Sequence, residues 1–161
     1  MLAQDAEHQV SDIPYVPTPQ SVVEAMLKLA NLRDTDFLMD LGSGDGRIVI
    51  TAAKEYHAQA LGVELDHALV AQARANAERQ HVTAKFIEGD LFRQDLSKAT
   101  VVTVYLTPSV NLRLRPKLLA ELAPGTRIVS HRFDMGTWPP EKTQVVDGET
   151  IYLWTVPAKN R

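Results

Sequence analysis

The sequence predicts an α/β domain with a mostly parallel sheet, a C-terminal antiparallel hairpin and helices on both faces. Three observations predict it. Short apolar runs alternate with segments whose apolar residues recur every three or four positions, the pattern of buried parallel strands joined by crossover helices. The stretch DLGSGDGR, residues 40–47, stands between one such run and the helix-like segment after it. Near the end, Asp147 and Gly148 separate two β-prone stretches, the signature of a tight hairpin.

Each element follows in order. Residues 1–13 are polar and aperiodic and are expected to form a flexible N-terminal arm. In PYVPTP, residues 14–19, three prolines fix an extended path; Thr18 is read as a helix N-cap and Pro19 as the first helical residue. This segment is expected to fold as a lid on the substrate side. Over 20–31, Val22, Val23, Met26, Leu27, Leu29 and Ala30 form one apolar stripe. Residues 37–41 read as a strand, 47–56 as a helix and 58–65 as a second strand. Residues 66–80 read as a helix with Asp66 at its N-cap. Strands are expected at 83–88, 101–106 and 127–133. A helix at 109–122 carries Pro116, which predicts a kink or a split into two short helices. The hairpin strands are placed at 144–146 and 150–156. The chain thus reads as a single domain over 14–157 with a short tail, 158–161.

Composition narrows the chemistry. The 161 residues contain no cysteine, which excludes a disulfide scaffold, a thiolate nucleophile and Cys-ligated zinc or iron–sulfur sites. The five histidines, His8, His57, His67, His81 and His131, lack metal-site spacing, so no metal is expected. Seventeen basic against twenty acidic residues give a net charge of −3, which offers no global field for nucleic acid and leaves a local basic patch open; together with the absence of an N/D-P-P-Y motif, it makes nucleic acid an unlikely expected partner. No apolar stretch approaches a membrane span, and the opening residues do not read as a secretory signal, so a cytoplasmic location is expected.

The glycine turn carries the most information. Gly42, Gly44 and Gly46 permit positive φ and close approach of a ligand to the backbone, and the following helix offers free N–H groups. Glu64, about twenty residues beyond Gly44 at the end of the second strand, stands where a carboxylate accepts both hydroxyls of a ribose. A dinucleotide fingerprint would place its third glycine where Arg47 stands, and Asp45 would repel a pyrophosphate. No Gly-Lys-Ser/Thr follows, which excludes a P-loop. An adenosine-containing cofactor without a pyrophosphate fits these facts.

The segments 40-DLGSGDG-46, 62-GVELD-66 and 88-EGD-90 resemble the cofactor motifs of class I S-adenosylmethionine-dependent methyltransferases, whose sheet is Rossmann-like. The resemblance implies S-adenosyl-L-methionine as cofactor and S-adenosyl-L-homocysteine as product. It implies that Gly42, Ser43, Gly44 and Gly46 cradle the methionine part, that Asp40 orients its amino acid end, and that Glu64 holds the ribose beside Leu65. It implies further that Asp90 and Leu91 contact adenine. Tyr15 and Thr18 of the lid are taken as cofactor contacts.

PYVPTP, the stretch 104-VYLTPSVN-111 and 130-SHRF-133 are similar to the small protein-lysine methyltransferases related to the mitochondrial enzyme that modifies the c subunit of ATP synthase. That resemblance implies a protein substrate presenting a lysine. Tyr105, Thr107, Pro108, Ser109 and Asn111, with His131, Arg132 and Phe133, fall at or just past strand ends, where ligands lie in open parallel sheets. Tyr105, Thr107, Pro108, Ser109 and Asn111 are the expected catalytic residues, positioning the acceptor amine. The alternatives are transfer to RNA or a small molecule, and a non-catalytic cofactor-binding module. Against RNA stands the absence of an N/D-P-P-Y motif, replaced here by Tyr105-Leu-Thr-Pro108.

Overall fold

The computed structural model describes residues 15–159. The expected arm 1–13, Pro14 of the lid and the last two residues of the tail lie outside the described residues. Seven strands form one sheet: β1 Phe37–Leu41, β2 Gln59–Glu64, β3 Lys85–Glu88, β4 Val101–Val104, β5 Arg127–His131, β6 Lys142–Val146 and β7 Glu149–Thr155. Among the described residues, four helices connect or flank them: α1 Gln20–Leu29, α2 Arg47–Tyr56, α3 His67–Arg79 and α4 Pro108–Glu121. A single 3-10 turn, Leu91–Arg93, follows β3.

The strand order is β3-β2-β1-β4-β5-β7-β6. β1 to β5 run parallel, and β7 pairs antiparallel with both β5 and β6. The order reverses at β1, whose neighbours are β2 and β4, so a crevice opens beyond its carboxyl end. The hairpin turns at Asp147 (φ 50°) and Gly148 (φ 79°), both in the left-handed region that a tight two-residue turn requires.

Side chains alternate across the sheet and divide the core into two layers. Leu38, Ala60, Phe86, Val101 and Val129 pack under α1, α2 and α3 with Val23, Met26, Val49 and Val70. Met39, Leu41, Val63, Val102 and Ile128 pack on the other face against α4 and the 3-10 segment, through Leu91, Leu114 and Leu118. Helices therefore cover both faces, as the apolar strands require.

The helix boundaries differ from the sequence reading for identifiable reasons. Pro19, not Thr18, occupies the α1 N-cap, with φ −56° and ψ 147° and no side-chain cap. The Thr18 hydroxyl is engaged instead by His131, 3.0 Å away. α1 stops at Leu29 because Asn31 turns left-handed (φ 52°), its N–H bonding Lys28 O while Leu32 N–H reaches Leu27 O. Asp66 does cap α3, accepting from Ala68 N and Leu69 N. α4 is one helix with Pro116 inside it, not two.

The amino-terminal end of the parallel strands, opposite the crevice, is fastened by Asp36. Its carboxylate accepts from Arg33 N at 2.8 Å, from Thr100 Oγ1 at 2.8 Å and from the Arg127 guanidinium. Burial raises the Asp36 pKa, but these hydrogen bonds and the Arg127 charge override it and hold the group below the ordinary 3.8. The stabilisation is present above 3.8 and disappears as pH falls through the lowered native value. Asp36→Asn is expected to cost about 2 kcal/mol at pH 7. Calorimetry at pH 7 should show a Tm about 4–8 °C lower than wild type, and the gap should close as the solution is acidified toward pH 2.

Candidate active site

β1 delivers Asp40 to the rim of the crevice, and the chain then turns through Gly42–Gly46 before entering α2. Glu64, at the end of β2, accepts from Gly44 N at 2.8 Å through Oε1 and from Asp66 N at 3.0 Å through Oε2. One carboxylate thus fastens two strand-to-helix turns together. At Gly44 (φ 55°) an added Cβ would stand 2.8 Å from Tyr15 Cε2, so the turn and the segment above it meet where only glycine fits.

These elements enclose a pocket of about 300 Å³ at the carboxyl ends of β1, β2 and β4. Its walls are Tyr15–Thr18, the glycine turn with Asp45, Arg47 and Ile48, the segment of Glu64, Leu65, Asp66 and Leu69, and Tyr105 with Leu106. Four carboxylates, Asp40, Asp45, Glu64 and Asp66, face one guanidinium, Arg47. Arg47 is already committed to Asp45, 2.6 Å away, and donates to Thr18 O at 3.1 Å. Residues 15–18 therefore lie against the pocket, held from below by Arg47.

The charges are tuned by this packing. Asp40 is 3% exposed and accepts a hydrogen bond of 2.9 Å from Thr103 Oγ1. Burial pushes its pKa up to about 7; the Thr103 bond opposes that, while the Glu64 and Asp45 charges add to it. For Asp45 burial also acts upward, but the Arg47 contacts prevail and hold the carboxyl below 3.8. Burial and the neighbouring Asp45 raise the Tyr15 phenol above its ordinary value. A pocket of this kind suits a ligand with positive charge and disfavours a phosphate.

The structure brings together Tyr15, Thr18, Asp40, Gly42, Ser43, Gly44, Glu64, Leu65 and Tyr105 as pocket walls. Gly46 stands behind the turn, against Phe86 and Ala73. Asp90 and Leu91 do not face the pocket. Asp90 is buried and caps the 3-10 turn through Phe92 N, while its Oδ2 pairs with Arg93 at 3.9 Å; Leu91 packs in the α4 layer. Thr107, Pro108, Ser109 and Asn111 also stand outside the walls. Thr107 caps α4 by accepting from Val110 N, Pro108 is its first residue and Ser109 is exposed. Asn111 is fully buried and donates to Phe133 O and Asp134 O, tying α4 to the loop after β5.

Sequence reasoning missed Val16, Pro17, Asp66 and Leu69 as pocket walls, and assigned Arg47 no role in the site. The first two lie inside the proline-rich segment, whose extended backbone presents every side chain in turn. The Asp45–Arg47 pair was legible as opposite charges two residues apart at a helix start. No local signal pointed to Glu149, which bonds His131 from the neighbouring strand β7.

Comparison with known proteins bears on this site. A family model described as the ANTKMT methyltransferase domain matches residues 40–142. A protein-lysine N-methyltransferase of Saccharolobus islandicus is 47% identical over 154 residues, covering 91% of this chain and 96% of that protein. The mouse adenine nucleotide translocase lysine N-methyltransferase is 40% identical over 144 residues, and the match covers 88% of this chain but 62% of the mouse protein. Among solved structures, an RNA methyltransferase from Salinibacter ruber in complex with S-adenosyl-L-homocysteine is 53% identical, with TM-score 0.88, covering 91% of this chain and 97% of that one.

That last finding corrects the expectation that nucleic acid is an unlikely partner. The expectation rested on net charge, a sum over the whole chain that does not describe the surface around one crevice, and on one missing motif. Among the described residues, no helix is long and apolar enough to cross a membrane.

Proposed function

The chain belongs to the ANTKMT methyltransferase domain family, and from that premise we propose that it binds S-adenosyl-L-methionine in the acid-lined pocket and methylates a lysine side chain of a protein. The observation that carries this reading is the charge of the pocket: four carboxylates against a single, already paired arginine. The residues fit the cofactor. Asp40 and Asp45 complement its positive charges, and the glycine turn allows its amino acid part to lie against backbone. Glu64 uses one lone pair of each oxygen on Gly44 and Asp66, and the remaining pairs are free for ribose hydroxyls.

S-adenosylmethionine, when bound, supplies an electrophilic methyl group on a sulfonium. The chain's own task is to align a lone pair with that methyl and to keep water out. A lysine must arrive there neutral, because an ammonium has no lone pair. Tyr105 is the wall residue that meets the acceptor, and Tyr15–Thr18 wall the same pocket. Thr107, Pro108, Ser109 and Asn111 shape this wall through the start of α4 and the loop after β5. Tyr105→Phe is expected to lower kcat about tenfold or more, within the range for one positioned polar group. Calorimetric affinity for S-adenosylhomocysteine should stay within about twofold, and unchanged turnover removes Tyr105 from the mechanism.

The Salinibacter ruber structure favours RNA as the second acceptor class. Incubation with methyl-labelled cofactor and lysate, split between protease and ribonuclease treatment, decides between them. The protein reading expects label that survives ribonuclease, is lost with protease and maps to lysine. Label confined to RNA or to small molecules overturns it. The expected cytoplasmic location stays part of this proposal and is read by cell fractionation.

A further inference from the structure

His131 ends β5 with 1% of its surface exposed, yet both ring nitrogens are engaged by residues distant in the chain. Nδ1 lies 3.0 Å from Thr18 Oγ1, on the segment that walls the pocket, and Nε2 lies 2.8 Å from Glu149 Oε2, at the start of β7. A neutral ring with its hydrogen on Nε2 satisfies both contacts, donating to the carboxylate and accepting the hydroxyl hydrogen. Burial lowers the pKa of this ring; Glu149 opposes that, and Arg132 adds to it. The ring has a third partner: its centroid lies 4.0 Å from that of Tyr105, tilted by 38°.

The chain then makes an unusual turn. Arg132 has φ 72°, and Phe133 N–H donates back to His131 O at 2.9 Å, closing a γ-turn of the strained, positive-φ hand. Ser130 Oγ and Asn111 Nδ2 both donate to Phe133 O and hold the turn shut. It sets Arg132 5.6 Å from the Tyr105 ring centre and Phe133 6.3 Å from it, while Arg132 also pairs with Glu149. Three successive residues thus address one tyrosine of the pocket wall. Such strain persists only where the surroundings over-determine it.

We propose that His131 is a positioning residue for methyl transfer: by holding Thr18 and stacking on Tyr105, it makes the seating of residues 15–18 over the cofactor and the assembly of the acceptor wall one event. The proposal rests on the cofactor reading above. A histidine serving only the core has no need of partners on two separate wall segments of one pocket. Here the segment 15–18 and the Tyr105 ring meet through one imidazole, so displacement of Thr18 loosens Tyr105 and Phe133 together.

Phe133 contributes nothing to the pocket walls, so its ring resonances report the acceptor wall without touching the ligand. The experiment titrates S-adenosylhomocysteine into the full chain and its Thr18→Ser, Thr18→Val and His131→Gln variants, recording affinity by calorimetry and the Phe133 ring signals by NMR. Wild type and Thr18→Ser are expected to bind alike and to shift Phe133. Thr18→Val and His131→Gln are expected to bind about tenfold more weakly, the size of effect of one lost buried hydrogen bond, and to leave Phe133 unmoved at saturation. A Thr18→Val protein that responds at Phe133 as wild type does at saturation overturns the proposal, since Thr18 then touches only the ligand. Valine nearly matches threonine in shape and Thr18 is not part of a strand or helix, so this variant decides the matter even where His131→Gln fails to fold. Wild type that does not bind S-adenosylhomocysteine overturns the cofactor reading and this proposal together; wild-type binding with an unaltered Thr18→Val overturns this proposal alone.

Discussion

The Asp40→Asn variant is expected to bind S-adenosylmethionine about ten- to a hundredfold more weakly than wild type at pH 8, while its unliganded fold becomes more heat-stable at that pH. Both halves follow from one buried carboxyl with a pKa raised to about 7. Near neutrality the unliganded protein divides between its charged and uncharged forms. A cationic ligand favours the carboxylate, so binding below pH 7 expels a proton, and wild-type affinity should climb up to about tenfold per pH unit before levelling off. The variant cannot ionise there, and its affinity should lose that climb.

The stability half has the opposite sign. Between 3.8 and about 7 the native carboxyl holds its proton more tightly than the unfolded chain does. Its contribution to stability is complete below the unfolded value and is lost as pH rises through about 7. Asparagine escapes that loss, so at pH 8 the variant should gain on the order of 2 kcal/mol, and at pH 5 far less. Calorimetric Tm and affinity series at pH 5, 6, 7 and 8 check both halves. Parallel affinity curves for the two proteins would remove Asp40 from cofactor recognition. A site that carries an unfavourable charge in the empty state is a place where stability and activity are opposed.

What could be read before the structure follows the range of the forces involved. The strand Phe37–Leu41 and the helix Arg47–Tyr56 lie where the pattern put them, because a continuous apolar run and a glycine turn are local signals. β4 ends at Val104, not 106. Its partners are Leu41 and Ser130, and once β1 turns away at Gly42, Tyr105 and Leu106 have no strand beside them on that side. β5 ends at His131, not 133, because Ser130 and Asn111 bend the chain at Arg132. The Thr18 cap was misread because its hydroxyl bonds a residue 113 positions away. No pattern within one element encodes such a contact.

The same division runs through the site. The cofactor side is built mostly from consecutive residues at two strand ends, so Asp40, the glycine turn and Glu64 were legible as a group. The Tyr105 wall is backed by His131–Phe133 and Glu149, which meet only after β4, β5 and β7 pair. Thr107 and Asn111 illustrate the cost of reading that wall by position along the strand ends. Both lie just beyond β4, yet one caps a helix and the other is sealed in the core as a support for Phe133 O. Being near a strand end is necessary for contact with a ligand, and the direction of the side chain decides the rest.

The largest loss of stability is expected from Gly46→Ala. Gly46 has φ 85°, so any side chain there is strained by roughly 1–2 kcal/mol. It also has no room: an added Cβ would stand 2.7 Å from Phe86 Cζ and 3.0 Å from Ala73 Cβ. Both neighbours are buried, one on β3 and one on α3, so overpacking adds roughly 1–3 kcal/mol. Together these should lower Tm by about 5–15 °C in a domain of this size. Gly125→Ala separates the two causes, because Gly125 has φ 89° and an added Cβ there would meet nothing within 4 Å. That variant should lose only the strain, about 2–8 °C. Adding Phe86→Leu to Gly46→Ala should recover part of the packing loss and none of the strain. Equal melting temperatures for the two alanine variants would show that backbone conformation alone, not the close approach of β3 and α3, fixes glycine at the entrance to α2.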